Sequence, residues 1–192
     1  PYAIVVKKSA FSEYKLKKDD SATLPLFRED AIKIIVDNLD DKDIVVSTTG
    51  VASRELFEYR EELKQGHEKD FLTVGGMGHA NQIALGVALQ KPNRSVFCLD
   101  GDGAILMHMG SMAINGNIAC DNFKHIVFNN GSHDSVGGQP TVGLTTNFQS
   151  IAKASGYDLV LQAETNDEVI KCIKDLKAFA GKIFLEIKVN KG

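Results

Sequence analysis

Cysteine is scarce in this sequence and shows no pairing pattern. Cys98, Cys120 and Cys172 lie in apolar or helical stretches without C-x-x-C spacing. This excludes a disulfide scaffold and points to reduced thiols, as expected in the cytoplasm. An excess of charge is also missing. The 22 basic and 25 acidic residues leave a formal net charge of −3, which offers neither a nucleic-acid surface nor a polybasic membrane anchor. No apolar run reaches the ~18 residues of a membrane span, and no stretch reads as a signal peptide, an internal repeat or a low-complexity segment. The chain opens Pro1-Tyr2-Ala3-Ile4-Val5-Val6 without an initiator methionine, as expected of a piece of a longer protein or a processed chain. What is there is ordinary globular composition. With 192 residues, 43% of them hydrophobic, the chain is long enough for one domain, or one lobe of a larger enzyme, with a sizeable core.

Residues 2–7 read as a short strand and 8–24 as a linker, so 1–24 is expected to come from a preceding region and 25–192 to form the domain. Pro25 suits a first helical turn, and Ala31, Ile34, Ile35, Asn38 and Leu39 then fall at helical spacing. A strand over 43–47 leads through Thr48-Thr49-Gly50 into a helix over 52–64, stopped by Gly66. A strand over 71–74 is broken by Gly75-Gly76-Met77-Gly78, and a helix follows from His79 to Gln90. Strand 95–99, a helix over 104–119 and strand 125–129 come next. Residues 131–144 hold four glycines and a proline with no apolar period, and a loop of that length is usually functional. Thr146-x-x-Gln149 and Thr165-x-x-Glu168 read as capping boxes, with Gly156 as a stop between them. Strand 157–161 follows Gly156. Val169, Ile173, Leu176 and Ala180, widened by Ile170 and Cys172, form the face of a last helix before strand 183–189.

Strands and helices alternate throughout, and the strands are apolar runs rather than alternating ones. That predicts a three-layer α/β/α fold with a mostly parallel, doubly wound sheet. Ligands of such sheets sit at the carboxyl ends of the strands. Four strand ends carry unusual residues, at 47–50, 75–79, 100–104 and 129–139. Gly101-Asp102-Gly103 leads straight into a helix, whose free N–H groups suit phosphate oxygens. Asp102 cannot face phosphate directly, because like charges repel. It fits if a hard divalent cation lies between them, and such a cation takes about six oxygen ligands. Asn130, at the next strand end, offers an amide oxygen. The bland alternatives are a helix cap at Asp102 and a simple turn at Asn129-Asn130.

A Gly-Asp-Gly followed, after 26 intervening residues, by the second Asn of an Asn-Asn pair resembles the signature of thiamine diphosphate enzymes. Gly75-Gly76-Met77-Gly78-His79 resembles the segment beneath the cofactor's rings. Thr48-Thr49-Gly50-Val51-Ala52-Ser53-Arg54-Glu55-Leu56-Phe57-Glu58 and the run from Asn129 to Thr141 are similar to phosphonopyruvate decarboxylases and, next, to sulfopyruvate decarboxylases. The likeness covers about residues 24–190, the diphosphate-binding (PP) domain of the thiamine diphosphate-binding fold.

The resemblance implies thiamine diphosphate and Mg²⁺ as cofactors. Asp102, Asn130 and the Ser132 carbonyl would ligate the metal. Thr48, Thr49, Gly50, Gly76, His79, Gly101, Gly103 and Ala104 would complete the cofactor pocket. Met77 would bend the cofactor, and the Gly75 carbonyl would accept from its aminopyrimidine, so these two carry the catalytic assignment. The implied reaction is decarboxylation of 3-phosphonopyruvate to phosphonoacetaldehyde and CO₂ in phosphonate biosynthesis, with sulfopyruvate or another 2-oxo acid as alternative substrate. Ser132, His133, Ser135, Gln139 and the amides of Gly137 and Gly138 are candidates for the anionic headgroup. His108 and His125 read as structural, and Arg54 as either structural or functional. The implied partner is a pyrimidine-binding (Pyr) domain, fused upstream or on a separate chain, in a homo-oligomer of at least two copies. No segment here reads as that domain, so this chain alone is expected to be inactive.

Three rivals use similar letters. A haloacid dehalogenase-type phosphatase would take Asp100 as nucleophile and Asp102 as acid, yet it needs a later acidic pair where Asn129-Asn130 stands. A dinucleotide fingerprint at Gly76-x-Gly78-x-x-Asn81 lacks its third glycine. An EF-hand starting at Asp100 would need Glu where Ser111 stands. A PP domain kept only as a structural partner would not need to retain both motifs.

Overall fold

The computed structural model describes residues 2–12, 24–118 and 120–192. Its elements are α1 (Arg28–Asp37), β1 (Ile44–Ser47), α2 (Val51–Glu62), β2 (Asp70–Leu72), α3 (Ala80–Gln90), β3 (Val96–Gly101), α4 (Asp102–Met107), α5 (Gly110–Asn117), β4 (Phe123–Asn129), β5 (Ser132–His133), β6 (Gln139–Pro140), α6 (Phe148–Ser155), β7 (Leu159–Ala163), α7 (Asn166–Ala178) and β8 (Ile183–Lys188). Six strands pair in the order β2-β1-β3-β4-β8-β7, all parallel. This is the doubly wound sheet expected from the alternating pattern. Among the described residues no helix is long and apolar enough to cross a membrane.

Strand parity sorts the core into two layers. Val45, Phe97, Leu99, Ile126, Leu185 and Ile187 face α1, α2 and α7. Val46, Val96, Cys98, Val127 and Phe184 face the layer built by α3, α4, α5 and α6. Because both faces are covered, β3 and β4 are buried nearly throughout. The chain leaves β1 toward β2 and then crosses back to β3. The carboxyl ends of β1 and β3 therefore part at a topological switch point, where a crevice opens.

Several local expectations are corrected. Pro25 lies ahead of the first helix, which starts at Arg28 after Phe27. The buried face of α1 is Ala31, Ile32, Ile35 and Val36, not the face through Ile34 and Asn38. Helix α2 ends at Glu62, with Lys64 rather than Gly66 in the left-handed region at φ 54°. The helix expected over 104–119 is two helices, broken at His108-Met109. Ile105 and Met112 stay in one core layer across the break, so the apolar period conceals it. The 131–144 segment is not structureless: it folds into the β5–β6 hairpin with short 3₁₀ turns at 134–136 and 143–145. Asn147 caps α6 by accepting from the Ser150 amide at 2.8 Å. The Thr146 hydroxyl is unavailable because it donates to the Val142 carbonyl. Strand β7 begins at Leu159, two residues later than expected. Ala180 lies beyond α7, whose capping box at Thr165 and Glu168 forms as expected. Residues 2–7 adopt no regular element and are exposed, as are 8–12, while 13–23 of the expected linker lie outside the described residues.

Asn129, the first amide of the pair, ends β4 as a buried strut. Its Nδ2 donates to the Glu186 carboxylate on β8 at 2.6 Å and to the Gly143 carbonyl at 2.9 Å. Gln149 donates to the other Glu186 oxygen. Burial raises the Glu186 pKa above its ordinary value of 4.5, against the lowering effect of Asn129. Glu186→Ala leaves Asn129 short of an acceptor and is expected to cost about 1–3 kcal/mol in urea unfolding. The raised pKa fixes a sign as well. Above pH 4.5 the unfolded chain ionises first, so the folded state binds more protons there and stability falls as pH rises through the window. Stability measured across that range should fall more steeply for the wild type than for Glu186→Gln.

Candidate active site

The crevice is built from three strand ends. After β1, the Thr48 amide extends the sheet by donating to the Leu99 carbonyl at 2.7 Å. The Ser53 hydroxyl closes the turn onto the Thr48 carbonyl at 2.6 Å. Gly50 then turns at φ 100°, where an added Cβ would press on Ser135. After β3, α4 starts at Asp102 itself. Gly103 has no room for a side chain, since a Cβ would strike the His133 ring and crowd Met77. After β4, Asn130 is only 5% exposed.

Two neighbouring clefts open here. The first spans about 520 Å³, part of it open to solvent, and is lined by Thr48, Thr49, Met77, Gly101, Asp102, Gly103, Ala104, Asn130, Ser132, His133 and Ser135, with Arg28, Val51, Ala52, Asp100, Phe128 and Asp134. The second, about 980 Å³, shares Thr49 and Ser135 and adds Gly50, Ser53, Arg54, Phe57, Glu58, Leu72, Thr73 and Val74. Of the residues singled out from sequence, Gly75, Gly76, His79, Gly137, Gly138 and Gln139 line neither cleft. His79 instead packs its ring on His108, centroids 4.4 Å apart. The Gly138 amide donates to the His133 carbonyl at 3.0 Å, and the Gln139 amide to the Val136 carbonyl at 3.0 Å. Both therefore hold the hairpin together.

Asp102 is the electrostatic centre. It is 2% exposed, and burial raises its pKa; Thr141, the Gly103 amide, His133 and the Asn130 amide act in the opposite direction. The Thr141 hydroxyl accepts from the Gly143 amide at 3.0 Å and donates to Asp102. No Lys or Arg side chain pairs with this carboxylate within 4 Å among the described residues. A buried carboxylate with only neutral donors and one histidine beside it is what a divalent cation would complete. Asn130 and Ser132 line the same cleft as Asp102 and can offer amide and carbonyl oxygens. The side chain of Ser132 is buried with no partner for its Oγ, a further sign of polar capacity in this cleft. The donor set of carboxylate, amide and carbonyl oxygens suits Mg²⁺, and the glycine cradle at Gly103 beside α4 suits a phosphate group.

Four supporting residues, Arg28, Glu55, Asp134 and Thr141, are not among the site residues singled out from the sequence. The Asn130 Nδ2 donates to Asp134 Oδ2 at 2.6 Å, while its Oδ1 accepts from the Ser132 amide at 2.9 Å. This sets which way the Asn130 amide faces. Arg28 holds Asp134 from the other side at 3.3 Å and grips Glu55 with two bonds of 2.9 and 3.0 Å. Thr141 does for Asp102 what Asp134 does for Asn130. One signal was available for Arg28: a cation in the first turn of a helix opposes the helix dipole, so it needs an acidic partner elsewhere.

Asp100 has a different place. It is fully buried, with Oδ2 accepting from Asn81 at 3.1 Å and lying 3.3 Å from His125 Nε2. His125 Nδ1 lies 2.8 Å from the Tyr157 hydroxyl, which accepts from Asn115 at 3.3 Å. Gln82 joins Asn81 and Asn115 at the far end. A carboxylate tied into this chain is not free to attack a phosphoryl group, which disposes of the phosphatase reading. All three cysteines are free and buried, and burial raises each thiol pKa, so they are inert.

Comparison with known proteins agrees with this geometry. Residues 48–187 match the domain family described as "Thiamine pyrophosphate enzyme, C-terminal TPP binding domain". The chain is 38% identical over 148 residues to phosphonopyruvate decarboxylase of Streptomyces viridochromogenes, covering 77% of this chain and 36% of that protein. It is 38% identical over 134 residues to sulfopyruvate decarboxylase subunit beta of Methanocaldococcus jannaschii, covering 69% of this chain and 68% of that subunit. The chain thus spans little more than a third of the phosphonopyruvate decarboxylases it matches. Among solved structures, benzoylformate decarboxylase from Polynucleobacter necessarius superposes with a TM-score of 0.75 over 92% of this chain and 35% of that one, at 19% identity. At that identity the likeness speaks for the fold.

Breaking the support of Asn130 is expected to be costly. Asp134→Ala leaves Arg28 and the Asn130 amide each short of a partner and should lower stability by about 1–3 kcal/mol. Thr141→Val should cost less, because only one hydroxyl is removed. Urea unfolding of the two variants beside wild type measures both.

Proposed function

The chain belongs to the thiamine pyrophosphate enzymes, as their C-terminal cofactor-binding domain, and on that premise we propose that it is the diphosphate-binding half of a 2-oxo acid decarboxylase acting on 3-phosphonopyruvate. The observation that carries this reading is the convergence of Asp102, Asn130 and Ser132 on one cleft beside the Gly103 cradle. Sulfopyruvate is the second substrate to consider, because the chain covers most of a sulfopyruvate decarboxylase beta subunit at equal identity.

In this reading Asp102, Asn130 and the Ser132 carbonyl hold Mg²⁺. The amides of Gly103 and Ala104, with Thr48, Thr49, Gly50 and Gly101, hold the diphosphate. Met77, which reaches Gly103 from the Gly75-Gly76 loop, is the apolar support for the cofactor's bent shape. The Gly75 carbonyl is the acceptor for its aminopyrimidine, and Gly76 and His79 flank that loop. Bound thiamine diphosphate supplies the electron sink that lets CO₂ leave a 2-oxo acid. The protein's part is to fix geometry and exclude water. Asp134 and Thr141 keep the two metal-binding side chains aimed, and Arg28 keeps Asp134 in place. Ser132, His133 and Ser135 are the loop side chains available to substrate in the clefts.

The Pyr half, fused or separate as the subunit name of the methanogen relative suggests, would complete the site in an assembly of at least two copies. The exposed Phe57, Phe71 and Val74 beside the second cleft suit such a contact. The buried free thiols fit a reducing, cytoplasmic setting.

Calorimetric titration of the complete enzyme with thiamine diphosphate is the direct test. Binding should require Mg²⁺, and Asp102→Asn should weaken it by at least about 10-fold, as expected for loss of a charged ligand. Binding that ignores both Mg²⁺ and Asp102 would overturn the cofactor reading. Turnover of phosphonopyruvate, sulfopyruvate and pyruvate by the same preparation then ranks the substrates. A preparation that binds the cofactor but decarboxylates none of them would remove the decarboxylase reading.

A further inference from the structure

Phosphonopyruvate and sulfopyruvate differ from pyruvate by an anionic headgroup. On the decarboxylase reading proposed above, from which the headgroup site takes its premise, recognising that group needs a fixed cation. The glycine-rich hairpin does not supply one. Its Gly138 and Gln139 donors are already engaged, and neither residue lines a cleft. Arg28 reaches the first cleft, but its guanidinium is occupied by Glu55 and Asp134. His133 carries charge only when protonated. Among the described residues that line the two clefts, this leaves Arg54 as the one permanent cation that forms no salt bridge within 4 Å and no side-chain hydrogen bond with any described residue.

Its position suits the role. Arg54 sits in the first turn of α2, immediately after the Thr48-Thr49-Gly50 turn, on the wall of the second cleft. Thr49 and Ser135 line both clefts, so a substrate whose keto carbon lies in the first could extend its headgroup into the second. The Ser135 hydroxyl donates to no group among the described residues, whereas those of Thr49, Ser53 and Thr73 are engaged with the Val74, Thr48 and Ser47 carbonyls. The first turn of α2 contains no acidic residue. Glu58 also lines the cleft but makes no ion pair with Arg54 within 4 Å. Phe57, Leu72 and Val74 supply an apolar wall, which strengthens a charge pair once water is displaced.

We propose that Arg54 is the specificity-determining residue for the substrate's phosphonate or sulfonate, holding it with two guanidinium N–H groups beside the Ser135 hydroxyl. The planar fork of arginine matches such an oxyanion in a way a lysine ammonium does not.

The test uses the complete enzyme as wild type, Arg54→Gln and Arg54→Lys. Steady-state constants are measured for phosphonopyruvate, sulfopyruvate and pyruvate, and phosphonoacetate binding is measured by calorimetry. Arg54→Gln should lower kcat/KM for the preferred anionic substrate by about 10- to 100-fold, mainly through KM, as expected for one charged hydrogen-bonding group. Pyruvate should change by less than about 2-fold, since it lacks the group being read. Phosphonoacetate affinity should fall in step with the anionic substrate, while Mg²⁺-dependent thiamine diphosphate affinity stays the same. Arg54→Lys should recover part of the loss, because charge is kept and the fork is not. Equal losses on pyruvate and the anionic acids, or unchanged phosphonoacetate affinity in Arg54→Gln, would overturn the assignment. The two readings separate cleanly. An enzyme that binds phosphonoacetate through Arg54 yet decarboxylates nothing loses the decarboxylase reading and keeps the anion site. One that decarboxylates pyruvate without any Arg54-dependent discrimination keeps the reaction and loses the site.

Discussion

A carboxylate buried at the mouth of a parallel sheet has to be matched by positive charge, and at Asp102 the protein withholds its own. Arg28 is near enough to line the same cleft, yet Glu55 and Asp134 hold it. With two acids on one guanidinium, no Lys or Arg among the described residues pairs with Asp102 within 4 Å. Much of the surrounding structure is explained by this. Thr141 and the amides around Asp102 soften the desolvation without cancelling it. The glycine at 103 keeps the approach free of side chains. The hairpin at 132–140 exists largely to bring Asp134 and Thr141 back over the strand ends.

The two asparagines show how strand geometry turns one repeated residue into two jobs. Asn129 is still part of β4 and is fixed between β8 and the Gly143 turn. Asn130 has just left the strand and faces the cleft. The first stabilises the edge of the platform, and the second works on it. A one-residue shift of β4 would exchange the roles and put an amide where the β4–β8 contact needs a strut.

The architecture was legible because apolar strands and helix-spaced faces alternate without interruption, and the position of Asp102 and Asn130 followed from the ends of two such strands. The supports of those residues were not legible. Arg28 meets Asp134 across 106 residues, and no local pattern encodes such a pairing. The break between α4 and α5 stayed hidden because Ile105 and Met112 continue one apolar face. Thr146 looked like a cap, and only the competing bond to Val142 moved that task to Asn147. Residues 131–144 carried turn chemistry without periodicity, so their hairpin depends on partners that a linear reading does not supply. Gly75, Gly76 and His79 line neither cleft, because turn glycines in a sequence mark a loop without fixing which wall of a cleft it faces.

The chain of polar groups beneath the site, from Gln82 and Asn81 through Asp100 and His125 to Tyr157 and Asn115, carries an evolutionary consequence. Each member is hydrogen-bonded mainly by the others inside the core, so replacing one strands its neighbours without water to take over. Such a set drifts as a block or not at all, and its energies are non-additive. The floor under the first cleft is therefore a historical commitment. Lineages that diversify the rim of the clefts can do so residue by residue, whereas those that alter the floor must cross several unfavourable intermediates at once.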